Sequence, residues 1–456
     1  MEFNTAGVIF VNNHFLKGDL DVDRVLTVVA GELNTLGISV KKVSIVEEED
    51  SSVSRELHSF SNLFDVVVAV VNSKISTVSK SLANLVSEPL VFNNELAEIT
   101  ALDEFSSLGT SEICWWPKSI KLLKCGNLLP VLHFHRIFIV YLELAHKQIQ
   151  LMLREHLLRY RQEYCFVKLF KVPLNGFKYL ESIENLDIGT EKHEDIEMLR
   201  LSSKSFDNIV RAEVELRNNF SNEPVTSVTL IGAQDLVWNS SEAHIKSALQ
   251  AIEKCFEMYQ PQHVFLSFNG GKDCTVLHHL VQVVLKKKYS NLNAKLLCLY
   301  VRSNCAFKEQ DDFIGQYSIH YNLEVVTIMS DIRQALADIL AARPQLKACF
   351  MGTRRTDPFS DNLHTFEMTD HDWPQVMRCN PLLNWHYSDI WDYLLYYKVP
   401  YCKLYDHGYT SLGNATNTIP NPYLSVFEGD TKSYLPAYKM LNERHERDGR
   451  NKKSKI

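Results

Sequence analysis

Apolar, β-branched residues run unbroken through positions 6–11, which predicts a buried strand. They then recur at helical spacing over 21–36, where Gly37 closes the helix. A second strand is predicted over about 38–46. The acidic turn 47–50 opens a helix to Phe64, and 65–71 is apolar and branched enough for a central parallel strand. The chain therefore opens as β-α-β-α-β. Between about Pro89 and Asn239 the period weakens. Residues 145–161 read as helix, 131–141 and 164–172 as strands, and the polar stretch 187–197 as an exposed linker. At Asn239 a clear period returns: Asn239 and Glu242 resemble a capping pair ahead of Ile245, Leu249, Ile252 and Phe256. Strands at 263–268, 294–301, 323–329 and 348–352 then alternate with helices at 274–289, 308–321 and 331–343. The pattern predicts two α/β domains, 1–238 and 239–456, the second a doubly wound, mostly parallel sheet. The loops after Phe268, Val301, Met329 and Gly352 should then face one ligand crevice at the carboxyl edge.

Composition narrows the function classes. The 456 residues are 45% hydrophobic and 23% charged, ordinary for a globular chain. Lys and Arg number 48 against 55 Asp and Glu, a net charge of -7 that gives no overall attraction to nucleic acid or anionic lipid. The most apolar long stretch, 128–144, contains His133, His135, Arg136 and Glu143, so no membrane span is expected. The ten cysteines include no C-x-x-C pair, and no Lys or Arg precedes Lys17; reduced thiols and a cytoplasmic location are the expectation.

The strongest chemical signal is Ser267-Phe268-Asn269-Gly270-Gly271-Lys272-Asp273-Cys274-Thr275, where a buried strand turns into a helix. Paired glycines let the backbone approach an anion, and the free N–H groups of the helix start point at it. Only Asn269 precedes the glycines, so the spacing is not that of a Walker-type loop. Arg354 and Arg355 follow the strand end at Gly352 and Thr353 and sit beside Asp357, where a guanidinium fork suits a phosphate. Trp385 and Trp391 are spaced as core residues, with Asp389 placed to cap their helix. Cys274, Cys379 and Cys402 read as packing thiols.

The 267–275 loop resembles the PP-loop of the adenine-nucleotide α-hydrolase and PAPS reductase superfamily. Met351-Gly352-Thr353-Arg354-Arg355-Thr356-Asp357-Pro358, the run from Asn380 to Trp391, and Leu404-Tyr405-Asp406 with Gly408-Tyr409-Thr410-Ser411-Leu412 are similar to the signature of eukaryotic FAD synthases, the FMN adenylyltransferases. The resemblance spans roughly 241–424. It implies a PAPS reductase-like domain that converts FMN and ATP to FAD and pyrophosphate, with Mg²⁺ as cofactor. It assigns Asn269, Lys272, Asp273 and Arg354 to catalysis. Ser267, Phe268, Asn269, Gly270, Gly271, Lys272, Thr275, Gly352, Thr353, Arg354, Arg355, Asp357, Trp385 and Asp389 are assigned to binding, and Asp273 also to the metal. FAD-accepting flavoproteins are the partners it adds. A PAPS-reducing enzyme would carry a cysteine in an E-C-G-type motif near its C-terminus, which this chain lacks. A flavin or nucleotide carrier without turnover is the other reading. Relatives often place basic residues between Gly413 and Asn421, where this chain has none, and Arg444 or Arg447 of the tail are candidates to reach the nucleotide.

Residues 5–83 resemble a molybdopterin-binding-like domain. The Gly-Asp-Glu and Gly-Gly-x-Gly-Pro-Thr motifs of such domains are replaced by Asn12-Asn13-His14-Phe15-Leu16-Lys17-Gly18 and Val70-Val71-Asn72-Ser73-Lys74-Ile75-Ser76-Thr77. The expectation is a degenerate domain whose nucleotide hydrolysis is absent or much weakened, leaving packing, oligomerisation or regulation. Asp19, Asp21 and Asp23 read as a solvated helix start.

Overall fold

The structure is a computed structural model. It describes the chain apart from residues 1–3, 13–21, 36–37, 72–74, 101–112, 126–127, 143, 146–147, 150–165, 173–179, 181, 194–195, 204, 221–225, 230–233, 290–294, 429–430 and 451–456. Asp19 and Asp21, most of the two degenerate motifs and the greater part of the expected 145–161 helix lie outside the described residues. The chain divides into two compact units: 1–162 with 423–446, and 163–422 with 447–456.

In the first unit, β1 (Thr5–Val11), α1 (Val22–Thr35), β2 (Ser39–Val46), α2 (Asp50–Leu63), β3 (Val66–Val71) and α3 (Ser76–Val86) follow the expected order. A short antiparallel pair, β4 (Leu90–Phe92) and β5 (Trp115–Pro117), comes next. β6 (Lys121–Cys125), β7 (Leu128–Phe134) and β8 (Ile137–Tyr141) then complete a sheet ordered β2-β1-β3-β8-β7-β6. The continuous strand expected over 131–141 is broken instead at His135 (φ 57°), where β7 turns back into β8 as an antiparallel hairpin. Unbroken apolar runs in β1 and β3 are explained by burial on both faces. Ile9, Val67 and Ala69 pack with Val53, Leu57, Val78 and Leu82 of α2 and α3, while Val8, Phe10, Val68 and Val70 pack with Val29 and Leu33 of α1. The returning segment 423–446 carries the hairpin β19 (Ser425–Glu428) and β20 (Thr431–Tyr434), and its Lys439 ammonium donates to the Phe64 carbonyl (2.7 Å).

The second unit begins earlier than the recovered alternation at Asn239 indicates. β9 (Phe166–Lys171), β10 (Leu186–His193), β11 (Ile196–Ser203) and β12 (Thr226–Thr229) form an antiparallel sheet ordered β10-β11-β9-β12, backed by α4 (Phe206–Asn219). Most of the expected linker 187–197 is thus a ladder: β10 is an edge strand whose backbone pairs with β11 from Leu186 to His193. α5 (Ala243–Tyr259) has Glu242 as its N-cap residue, so the Asn239–Glu242 pair is not the cap.

β13 (Val264–Ser267), α6 (Lys272–Lys288), β14 (Leu297–Val301), α7 (Lys308–Tyr321), β15 (Glu324–Ile328), α8 (Ile332–Ala342), β16 (Ala348–Phe350), β17 (Phe366–Met368), β18 (Met377–Cys379) and α9 (Tyr387–Tyr396) complete the unit. The sheet order is β15-β14-β13-β16-β18-β17, parallel except for the edge strand β17. β14 and β15 continue to one side of β13, and β16 lies on the other. The strand order therefore switches between β13 and β16, where such sheets bind ligands. No described helix is long and apolar enough to cross a membrane.

Within this unit Lys168 of β9 is wholly buried. Its ammonium donates to Glu213 Oε2 (2.6 Å) and to the carbonyls of His320 (2.6 Å) and Ile319 (3.3 Å) at the end of α7. Burial drives its pKa down, and Glu213, itself paired to Arg217, opposes that shift. Lys168→Met should cost on the order of 3 kcal/mol in unfolding experiments, because the helix carbonyls lose their donor and Glu213 loses a cation. A double Lys168→Met/Glu213→Leu variant should recover part of that loss.

Candidate active site

The strand-to-helix turn is built around glycine. β13 ends at Ser267, and Phe268 is buried against Tyr317 of α7 (ring centroids 5.2 Å, 26° between planes). The chain then turns through Asn269, Gly270 and Gly271 into α6. Gly270 has φ +69°, and a Cβ there would lie 2.8 Å from Ile314 Cγ1, so only glycine fits. Asn269 holds the turn from within. Its Oδ1 accepts from the Gly271 N–H (3.0 Å) and from Cys274 Sγ (3.2 Å), and its carbonyl accepts from Gln310 Nε2 (2.6 Å). The Lys272 N–H donates to the Tyr405 hydroxyl (2.8 Å).

At the start of α6 three charges meet. Asp273 Oδ1 lies 2.8 Å from Arg354 Nε, and Oδ2 lies 2.9 Å from Lys272 Nζ. The Arg354 side chain is 0% exposed and that of Lys272 2%. Lys272 Nζ also lies 5.2 Å from the centre of the Tyr387 ring. Burial pushes the Asp273 carboxyl up, but Arg354 and Lys272 outweigh it and hold it below the ordinary 3.8. Both cations thus face the Asp273 carboxylate at a helix start, where the dipole is also positive. The contact depends on Gly352. A Cβ there would sit 3.0 Å from the Cys274 backbone nitrogen, and the backbone of a helix start has little room to yield.

The glycine turn and the arginine strand-end, far apart in sequence, therefore adjoin, and Gly352 and Thr353 lead directly into the contact. Other expected binding residues take structural places. Arg355 braces its own loop: Nε donates to Asn384 Oδ1 (2.7 Å) and Nη1 to the carbonyls of Asp361 (2.9 Å) and Leu363 (3.2 Å). Asp357 Oδ2 accepts from the Arg354 N–H (2.9 Å). Thr275 is buried and donates back to the Gly271 carbonyl (2.8 Å), which removes it as a phosphate donor in this conformation. Trp385 is buried edge-on to His244 and Tyr393, and Asp389 completes the capping box of α9 with His386. Asp273 does not fit a direct Mg²⁺ ligand as placed, since each oxygen already faces a cation. Among the described residues no three His, Cys, Asp or Glu side chains group for a metal.

Gln310 and Tyr405 support the turn although the sequence reading did not assign them to it. Gln310 was legible in principle: it shares the buried stripe of α7 with Phe313, Ile314 and Tyr317, and a polar residue on an apolar stripe needs a partner. Tyr405 lies in a motif that was recognised without a role for that ring. From the tail, Arg447 Nη1 lies 3.7 Å from Asp357 Oδ1, and Arg450 Nη1 donates to the Leu412 carbonyl (2.6 Å). A guanidinium thus reaches the edge of the loop that has no basic residue of its own. The loop after β15 lines a cavity of about 400 Å³ with Asp331, Arg333, Gln334, His371, Asp372 and Trp373.

Residues 263–344 and 330–420 match the phosphoadenosine phosphosulfate reductase domain family, a span that contains every site residue from Ser267 to Tyr405. A probable FAD synthase of Caenorhabditis elegans is 29% identical over 98% of this chain and 97% of its own length. A probable FAD synthase of Schizosaccharomyces pombe is 38% identical over 54% of this chain and 89% of its own length. The chain belongs to the FAD synthase family. Among solved structures, the FMN adenylyltransferase of Candida glabrata in complex with FMN and the ATP analogue AMPCPP is 28% identical, covering 48% of this chain and 98% of that one, with a TM-score of 0.43. In this FAD synthase family member, burial pushes the Cys274 thiol in the first turn of α6 up to about 12, away from the range of a reactive thiol.

Two outcomes test the charge cluster. Because the Asp273 carboxyl is depressed on folding, its stabilisation is present above its unfolded pKa and disappears as pH falls through the folded value. The thermal midpoint should therefore be insensitive to this group from pH 8 to about pH 5 and drop below about pH 4, a component that Asp273→Asn removes. That variant should also lose about 3–5 kcal/mol at neutral pH, since it removes a carboxylate charge from a buried guanidinium. Gly352→Ala should instead fold but lose on the order of ten-fold or more in turnover, by pushing the strand end off the helix start.

Proposed function

We infer that the chain transfers the adenylyl group of ATP to FMN, giving FAD and pyrophosphate. The observation that carries this reading is the 2.8 Å contact between Asp273 and Arg354, which makes one wall of the phosphate turn and the arginine loop. In the reaction a terminal oxygen of the FMN phosphate forms a bond to the α-phosphorus. The bond from that phosphorus to the α–β bridging oxygen breaks, and pyrophosphate leaves with the electron pair. A phosphate monoester has its second pKa near about 6, so the nucleophile is ionised without a general base. The site must bring together two anions that repel each other and neutralise charge on the leaving group.

The Gly270 and Gly271 backbone and the start of α6 would hold the ATP phosphates. Arg354 and Lys272 would supply positive charge, and Asp273 would orient both. Asn269, Ser267 and Thr353 offer neutral contacts. Mg²⁺ would be held by the substrate ATP, since both Asp273 oxygens already face cations. The first unit is read as a molybdopterin-binding-like domain outside the chemistry. The free cysteines fit a reducing compartment, so this reading keeps a cytoplasmic enzyme supplying FAD-accepting flavoproteins.

Purified full-length protein incubated with FMN, ATP and Mg²⁺ should form FAD and pyrophosphate in equal amounts, separable by chromatography and a coupled phosphate assay. A carrier would retain nucleotide and release no pyrophosphate, and folded protein that forms no FAD would refute the reading. Asp273→Ala and Arg354→Ala should each lose on the order of 100-fold in kcat/KM, whereas Cys274→Ser should stay within about 3-fold of the wild type.

A further inference from the structure

Phe359 combines two features that a soluble chain ordinarily avoids. Its side chain is 100% exposed, and its backbone has φ +64°, in the left-handed region that a bulky residue adopts only under constraint. Its surroundings are not slack. The Asp357 N–H donates to the Arg354 carbonyl (3.0 Å), the Ser360 N–H to the Asp357 carbonyl (3.2 Å), and the Leu363 N–H to the Ser360 carbonyl (3.3 Å). Ser360 is buried, and the exposed Arg355 side chain donates to the Asp361 and Leu363 carbonyls. The loop is braced on both sides of Phe359 and holds an apolar ring into solvent. Packing within the described chain cannot be its purpose, because nothing there covers the ring.

The position in the fold says what could cover it. The loop leaves the carboxyl end of β16, on the other side of the switch point from the Asn269 turn at the end of β13. On the adenylyltransferase reading the β13 turn would face the phosphates of ATP, and the β16 loop would then border the side from which FMN approaches. Of the two substrates, FMN carries the larger flat apolar face, and an aromatic side chain on a rigid mount suits such a face at little conformational cost.

We propose that Phe359 is a substrate-positioning residue whose ring stacks on the isoalloxazine of FMN, with the braced Arg355 loop as its mount. The assignment rests on the adenylyltransferase reading and deepens it by naming the side chain that selects the flavin. In the full-length protein, Phe359→Ala should raise KM for FMN about ten-fold, while KM for ATP stays within two-fold. Phe359→Tyr should restore the wild-type value, and Phe359→Leu should not. Quenching of flavin fluorescence when FMN is added with a non-hydrolysable ATP analogue should weaken in the alanine variant. The thermal midpoint of the free protein should hold or rise on Phe359→Gly, since the strained φ is relieved and no packing is lost.

An unchanged KM for FMN in the alanine variant, or a rise confined to ATP, would overturn the stacking assignment. A lowered thermal midpoint in Phe359→Gly would overturn it as well, by showing that the ring is packed. These results leave the adenylyltransferase reading standing as long as the wild type makes FAD. A wild type that makes none removes the reading itself, and the two failures are therefore distinguishable.

Discussion

The second unit is organised around a guanidinium with no access to water. Arg354 is wholly enclosed, and enclosing a charge is costly unless a counter-charge meets it in good geometry. Asp273 provides that counter-charge, and because it stands in the first turn of α6 it draws the exit of β16 onto the start of the helix. Lys272 then shares the same carboxylate. One acidic side chain thus fixes two cations and two loops. The arrangement places both cations beside the start of α6, which on the proposed reading is where a triphosphate and a phosphate monoester would share a site. Gly352 matters to this geometry because of the side chain it lacks: a methyl group would separate the two elements that the ion pair joins.

Behind the turn, α7 works as a support whose two ends are held by different parts of the chain. At its start, Asp311 receives Arg302 (Nη2 to Oδ2, 2.8 Å) and the Tyr300 hydroxyl (2.9 Å), both from the exit of β14. One face presents Gln310 to the Asn269 carbonyl, Ile314 to Gly270 and Tyr317 to Phe268. At its end, Lys168 of the antiparallel sheet takes the last carbonyls. A helix C-terminus favours a cation, and here the cation comes from a strand more than a hundred residues earlier in the chain. This contact gives a physical reason for the unit to include residues 163–238.

What could be read from the sequence follows the range of the interactions involved. The alternation of strands and helices after Asn239 rests on local periodicity, and so does the glycine turn; both were legible. The ladder at 187–197 was not, because its polar positions mark a strand only once β11 lies alongside. The Asn239–Glu242 pair matched a local rule, yet the helix starts after Glu242 instead. At the site, residue type indicated Arg354 and Arg355 alike. Their fates differ through partners remote in sequence: Asp273 encloses one, while Asn384 and two carbonyls turn the other into a brace. Lys272, which residue type marked for catalysis, is held by Asp273 and by the ring of Tyr387, remote in sequence.

The same geometry bears on which chemistry the turn favours. Its N–H groups do not wait unsatisfied, since Gly271 bonds Asn269 and Lys272 bonds the Tyr405 hydroxyl. A phosphate entering the turn exchanges hydrogen bonds instead of adding them, so net affinity must come largely from charge and shape. Thiol chemistry is poorly served in the same place. Cys274 is pushed up to about 12 by burial, and Cys298, Cys349 and Cys379 are raised as well, so none carries thiolate near neutral pH. A phosphate nucleophile brings its own negative charge and needs only to be held in line. On the proposed reading, the buried cluster of Arg354, Lys272 and Asp273 would supply alignment and neutralisation together, without a proton acceptor whose pKa would have to be tuned.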